Sequence, residues 1–68
     1  MIALQVNGKQ VELQSATPLL DYLRTLGVDP GAVAVEHNGE IVERALFEKV
    51  VLDQGDQVEI VRMVGGGR

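Results

Sequence analysis

The sequence predicts an α+β fold of two layers, a mixed sheet of four to five strands with one main helix on one face. Three observations predict it. Apolar residues alternate with polar ones in several short stretches, the period of half-buried strands. A single stretch, Leu19 to Leu26, carries helical spacing between a proline and a glycine. Two Asn-Gly pairs, at 7–8 and 38–39, follow alternating runs and mark tight hairpin turns, because both residue types tolerate positive φ.

The elements follow in chain order. Ile2, Leu4 and Val6 alternate with Ala3 and Gln5, and after the first Asn-Gly turn Val11 and Leu13 alternate with Gln10 and Glu12, making an N-terminal hairpin. Thr17-Pro18 predicts a helix start, with the threonine hydroxyl as N-cap and proline at the first helical position. Leu19, Leu20, Leu23 and Leu26 are the expected core face of that helix. Gly27 ends it in the left-handed conformation, and Pro30 prevents its resumption. Ala32 to His37 reads as a third strand with Val33 and Val35 on one face, and Ile41-Val42 as a short strand after the second Asn-Gly turn. Arg44 to Lys49 reads as a turn or short helix that tucks Leu46 and Phe47 under the sheet. Asp53 to Asp56 is a turn by composition. Gln57 to Val64 is the last strand, with Val58 and Ile60 toward the core, and it is expected beside the first strand in the middle of the sheet.

Composition bounds the function. The 68 residues make one domain, and a domain near this size buries only about 60% of the surface its unfolded chain exposes, so the core is thin. No cysteine means no disulfide framework, no thiolate nucleophile and no cysteine-ligated metal. No apolar run approaches the ~20 residues of a membrane helix, and no signal-peptide pattern opens the chain. The expected location is cytoplasmic, with no membrane partner. A net charge of -4 argues against nucleic acid, and two aromatics, Tyr22 and Phe47, are too few for a base-stacking platform. An acidic surface favours a partner with a basic rim. The single histidine, His37, reads as a solvated hairpin residue, since an acid–base catalyst needs a positioned partner in a pocket. Glu36, Glu40 and Glu43 alternate with apolar residues and read as a solvated face. One histidine and no thiol leave only carboxylates for a metal. No catalytic residue and no bound cofactor are expected.

The chain closes on Val64-Gly65-Gly66-Gly67-Arg68. The sequence divides into a folded domain over 1–64 and a flexible glycine-rich tail over 65–68. A glycine run threads a slot too narrow for side chains. From Met63 to Gly67 it reaches about 17 Å when extended. Taken alone, such a tail more often means a frayed end. The residues before it add a surface. If Val58 and Ile60 face the helix, then Glu59, Val61 and Met63 face outward with Ala3 and Gln5. Val61, Arg62, Met63 and Val64 are the candidate docking residues, against the alternative of scattered surface hydrophobes. Arg62 shares the core parity and either marks where the strand leaves the core or pairs with an acidic partner group.

The ordered set of short motifs resembles a known family. The stretches are Val6-Asn7-Gly8-Lys9, Thr17-Pro18-Leu19-Leu20-Asp21-Tyr22-Leu23, Val33-Ala34-Val35-Glu36, Asn38-Gly39-Glu40-Ile41-Val42-Glu43-Arg44, Gly55-Asp56-Gln57-Val58-Glu59-Ile60-Val61 and Val64-Gly65-Gly66-Gly67. Nearly end to end, they are similar to the ThiS family, sulfur-carrier proteins of thiamin thiazole synthesis, within the ubiquitin-like β-grasp superfamily. Two departures stand out. Gln54 occupies the first position of the family's Asp-Gly-Asp, and Arg68 covers the terminal glycine.

The resemblance implies a carrier rather than an enzyme. Gly67, with Gly66, would be the adenylation and thiocarboxylate site, and Gly65 would ease passage into a partner's channel. A ThiF-like adenylyltransferase would use ATP to make an acyl-adenylate there. Sulfur from a cysteine desulfurase persulfide or another donor would displace AMP, and a ThiG-like thiazole synthase would take the sulfur. A peptidase removing Arg68 is implied first; otherwise that residue is a cloning remnant, or the chain as written cannot be charged. Open alternatives are a molybdopterin-synthase small subunit or other metabolite sulfur carrier, a ubiquitin-like protein modifier, and a passive interaction module.

Overall fold

The computed structural model describes residues 1–63; Val64, Gly65, Gly66, Gly67 and Arg68 lie outside the described residues. The strands are β1 (Ile2–Val6), β2 (Lys9–Leu13), β3 (Thr17–Pro18), β4 (Val33–His37), β5 (Glu40–Val42), β6 (Val51–Leu52) and β7 (Gln57–Arg62), and the helix α1 spans Leu19–Leu26. Five strands form one mixed sheet in the order β2-β1-β7-β4-β5, and β3 pairs with β6 in a separate two-stranded ladder. β7 runs parallel to β1 and antiparallel to β4, in the middle of the sheet, where the sequence puts it.

Both Asn-Gly turns are left-handed at both residues: Asn7 and Gly8 have φ 53° and 80°, Asn38 and Gly39 have 53° and 87°. That backbone matches the twist of the strands it joins, and it fixes the registers Val6↔Lys9 and His37↔Glu40. Inward side chains follow from those registers. Leu4, Val6, Val33, Val35 and Val58 pack against Leu19, Tyr22 and Leu23 of α1 and against Phe47 and Leu52. No polar or charged residue is buried among the described residues.

The helix departs from expectation at both ends. Thr17 is not its N-cap. Thr17 and Pro18 pair with Leu52 and Val51 as β3, the Thr17 hydroxyl donates to the Ser15 carbonyl at 2.9 Å, and the first helical N–H, on Leu19, donates to the carbonyl of Val50 at 2.9 Å. A carbonyl more than thirty residues away, just before β6, thus serves the orphan donor that a cap would have served. At the other end Gly27, at φ 75°, donates to Arg24 while Val28 donates to Leu23, a Schellman closure. Leu26 lies in that last turn and is 47% exposed, so it is not core; Tyr22, one turn after Leu19, is buried instead.

The remaining corrections are local. Arg44–Lys49 is a 3-10 helix that buries Phe47 but leaves Leu46 exposed. No element is predicted over 50–52, yet Leu52 is fully buried. The last strand ends at Arg62, although the N–H of Met63 still reaches the Ala32 carbonyl at 2.9 Å.

The β1–β7 seam is short: the paired residues are Gln5↔Gln57 and Val6↔Val58. Side-chain amides lengthen it. Asn7 Oδ1 accepts from the N–H of Ile60 at 2.7 Å and Asn7 Nδ2 donates to the Ile60 carbonyl at 3.1 Å. The carboxamide carries the same donor and acceptor as a peptide group, so it stands in for one more residue of β1. At the other end Gln54 Oε1 accepts from the N–H of Ala3 at 2.9 Å, and the N–H of Gly55 donates to the Ala3 carbonyl at 2.8 Å. Glutamine at position 54 therefore has a role of its own.

Asn7→Gly keeps the turn's backbone but removes the amide bridge. Urea denaturation should show a loss of about 1–3 kcal/mol. Asn7→Ala should lose roughly 1–2 kcal/mol more, because alanine resists the left-handed conformation. Equal stability of Asn7→Gly and the parent would mean that water serves Ile60 as well as the amide does.

Candidate functional site

Two places carry the chemistry-bearing residues. The first is the end of the sheet where β7 starts. His37 Nε2 lies 2.8 Å from Asp56 Oδ2, with the two side chains 24% and 15% exposed. Asp56 Oδ2 also accepts from the N–H of Asp53 at 2.9 Å, and Asn38 Nδ2 donates to Asp56 Oδ1 at 3.3 Å. Asn38 in turn accepts from the N–H of Gln57 through Oδ1 at 2.9 Å. His37 is therefore not the solvated hairpin residue expected from sequence. It ties the β4–β5 turn to the Asp53–Asp56 turn. Burial would raise the Asp56 pKa, but hydrogen bonds from His37, Asp53 and Asn38 and the charge of His37 outweigh it and hold the carboxyl below its ordinary 3.8.

This latch is remote from the last described residue. β7 runs from Gln57 to Arg62, so Met63 lies roughly 20 Å along the strand direction from the latch. The histidine fastens the root of the central strand, at the opposite end of it from Met63.

The second place is the outer face of β4, β5 and β7. Glu59 and Val61 point away from the helix, as parity predicts, and Val61 is 59% and Met63 46% exposed. Around Val61 an open groove of about 490 Å³ is lined by Ala34, Val35, Glu36, Ile41, Glu59 and Val61. Of this lining the sequence reading names only Val61 as a docking residue, and Ile41, 76% exposed, is the largest apolar side chain that it passes over. The second Asn-Gly turn already held the signal. A two-residue loop pairs His37 with Glu40, hence Glu36 with Ile41, and puts Ile41 on the solvent face. Glu36, Glu40 and Glu43 are all exposed, as expected. Arg62 is exposed opposite the buried Val33, at the point where β7 outruns the core. Val64, Gly65, Gly66 and Gly67, the remaining sequence-predicted site residues, lie outside the described residues. Among the described residues no group of three or more His, Cys, Asp or Glu is placed to hold a metal, and no helix is long and apolar enough to cross a membrane.

A five-stranded mixed sheet wrapped on one helix, with the C-terminal strand in its centre, is the ubiquitin-like β-grasp. A profile of the ThiS family matches residues 4–67, and the chain belongs to that family. The Sulfur carrier protein ThiS of Bacillus subtilis (strain 168) is 38% identical over 65 residues, which cover 94% of this chain and 98% of that one. The crystal structure of the thiamine biosynthesis protein ThiS from Geobacter metallireducens superposes with a TM-score of 0.84 at 35% identity, covering 97% of this chain and all of that one. A thiazole synthase of Magnetococcus marinus is 38% identical over 65 residues, which are 96% of this chain and 20% of that protein, so the chain spans about a fifth of that relative's length.

The latch predicts an acid response. The folded pKa of Asp56 lies below its unfolded value, so its charge stabilises the fold above about pH 4 and that contribution is lost as pH falls from there through the folded value. Urea midpoints taken at pH 7 and pH 3 should show a smaller difference for Asp56→Asn than for the parent, with the variant already weaker at pH 7.

Proposed function

We propose that this chain is a sulfur carrier for thiazole formation in thiamin biosynthesis, and that its reactive group is the carboxyl of Gly67 after Arg68 has been removed. The observation that carries the reading is family membership over a match that runs through the glycines to residue 67. The chain acts as co-substrate and its partners are the enzymes. A ThiF-like adenylyltransferase spends ATP to join AMP to the carboxylate, since a carboxylate oxygen is a poor leaving group. The outer sulfur of a cysteine desulfurase persulfide attacks the acyl-adenylate and displaces AMP, and a thiol reductant then cleaves the resulting acyl disulfide to the thiocarboxylate; a sulfide-level donor gives the thiocarboxylate directly. A ThiG-like thiazole synthase takes the sulfur. A stretch similar to this whole domain within a thiazole synthase polypeptide supports that enzyme as acceptor rather than a molybdopterin synthase.

Gly65 and Gly66 let the end pass through a narrow channel, and Val61, Arg62, Met63 and Val64 form the docking collar at its base. The fixed position of β7 supports this division of labour, because a strand bonded on both edges gives the tail a rigid root.

The test is an intact-mass measurement on the trimmed chain after incubation with adenylyltransferase, ATP and a sulfur donor. The expected product has one oxygen replaced by sulfur. Isopeptide conjugates would instead make it a modifier, and no change with a competent partner would sink the carrier reading. Gly66→Ala should charge at least about tenfold more slowly with its fold intact, through steric exclusion from the channel. Met63→Asp should weaken partner binding without unfolding the domain, and unchanged affinity would remove Met63 from the collar.

A further inference from the structure

Glu36 and Glu59 stand directly opposite one another in the register of β4 and β7. Residues so placed hold their Cβ atoms about 5 Å apart, and like charges there oppose the pairing of the strands. The ion pairs among the described residues are Arg24–Asp21 and His37–Asp56, and neither includes these two carboxylates. The pair is also not at a rim. It lines the open groove together with Ala34, Ile41 and Val61, so two like charges sit beside exposed apolar surface. The opposed charges work against the β4–β7 pairing, and the apolar residues beside them have no cover within the domain. Both become favourable when a cation flanked by apolar groups fills the groove.

We infer that this groove seats a protein surface presenting one arginine side chain between Glu36 and Glu59, with apolar neighbours of that arginine covering Ile41, Val61 and Met63. A guanidinium suits the site better than an ammonium, since its planar fork can serve two carboxylates at once. The occupant is thiazole synthase, on the proposed sulfur-carrier reading. Charge complementarity defines the contact, and the relative that carries a similar domain within a thiazole synthase chain supports this partner. Val61 lines the groove two residues before Met63, so the same contact aims the tail.

Calorimetric titration of the full chain with thiazole synthase from the same source, at low and high salt, tests this. The double variant Glu36→Gln/Glu59→Gln should bind at least about tenfold more weakly than the parent and lose most of the salt dependence. A charge-matched control, Glu12→Gln/Glu48→Gln, should change affinity less than about threefold. The groove variant should also melt at the same temperature as the parent or about 1–4 °C higher, because the opposed charges are gone. Weaker binding with equal or greater stability is the signature of a docking pair; weaker binding with lower stability would assign the glutamates a structural role and overturn the inference. Equal affinity of groove variant and parent, equal effects of groove and control variants, or no binding of the parent would overturn it too. Sulfur loading of the parent, read separately by intact mass, decides the carrier reading. A parent that loads sulfur while the groove variant binds thiazole synthase normally leaves the carrier standing and removes only this docking contact.

Discussion

Everything in this domain depends on the placement of β7 between β1 and β4, and side-chain amides complete that placement. Backbone pairing with β1 covers two residues. Asn7 extends it past the turn to Ile60, and Gln54 extends it backward to Ala3. On the other edge Asn38 accepts from Gln57, and its own N–H donates to the Gln57 carbonyl at 2.7 Å. A carboxamide offers what a peptide group offers, without another residue of strand. In a chain of 68 residues that economy matters, because lengthening β1 would move the turn that sets the register of β2. The two Asn-Gly turns thus have two functions each. Their backbones reverse the chain, and their side chains fasten the strand that neither hairpin contains.

Fastening β7 along both edges separates the two faces of the sheet. The inner face is committed to α1, Phe47 and Leu52 and buries no charge among the described residues. The outer face holds the groove with its opposed glutamates. A small domain has little stability to spare, yet it keeps like charges in register there. Features that strain a fold without supporting it are common where a protein meets its partners.

Much of this was legible in the sequence, and most of the misses share a cause. The hairpins, the order of the main strands, the central position of β7 and the closure at Gly27 rest on contacts between near neighbours or on two-residue alternation. The sequence shows those directly. Thr17, Leu52 and His37 elude a sequence reading because each takes its meaning from a distant partner: Thr17 and Leu52 from one another, His37 from Asp56. Leu26 was misread for another reason. Helical spacing assigns a face but not the point at which the helix passes beyond the sheet. On the candidate site, parity placed Val61 and Met63 outward. Ile41 required the extra step of carrying the turn's register across to β4, and the opposition of Glu36 to Glu59 required the β4–β7 register, which only the structure supplies.

The tail's composition places recognition elsewhere. Three glycines have no side chains, so they can pass through a channel but cannot tell one enzyme from another. The titratable latch at His37 and Asp56 sits at the far end of β7. On the sulfur-carrier reading, activation and acceptance of sulfur both occur at a group that carries no identity of its own, and discrimination must come from the surface next to it. That surface is the outer face of β4, β5 and β7, where apolar residues supply contact area and the glutamates make a wrong partner costly by leaving them unpaired. A partner lacking the cation would have to desolvate two like charges to cover Ile41 and Val61, so the groove rejects as well as binds.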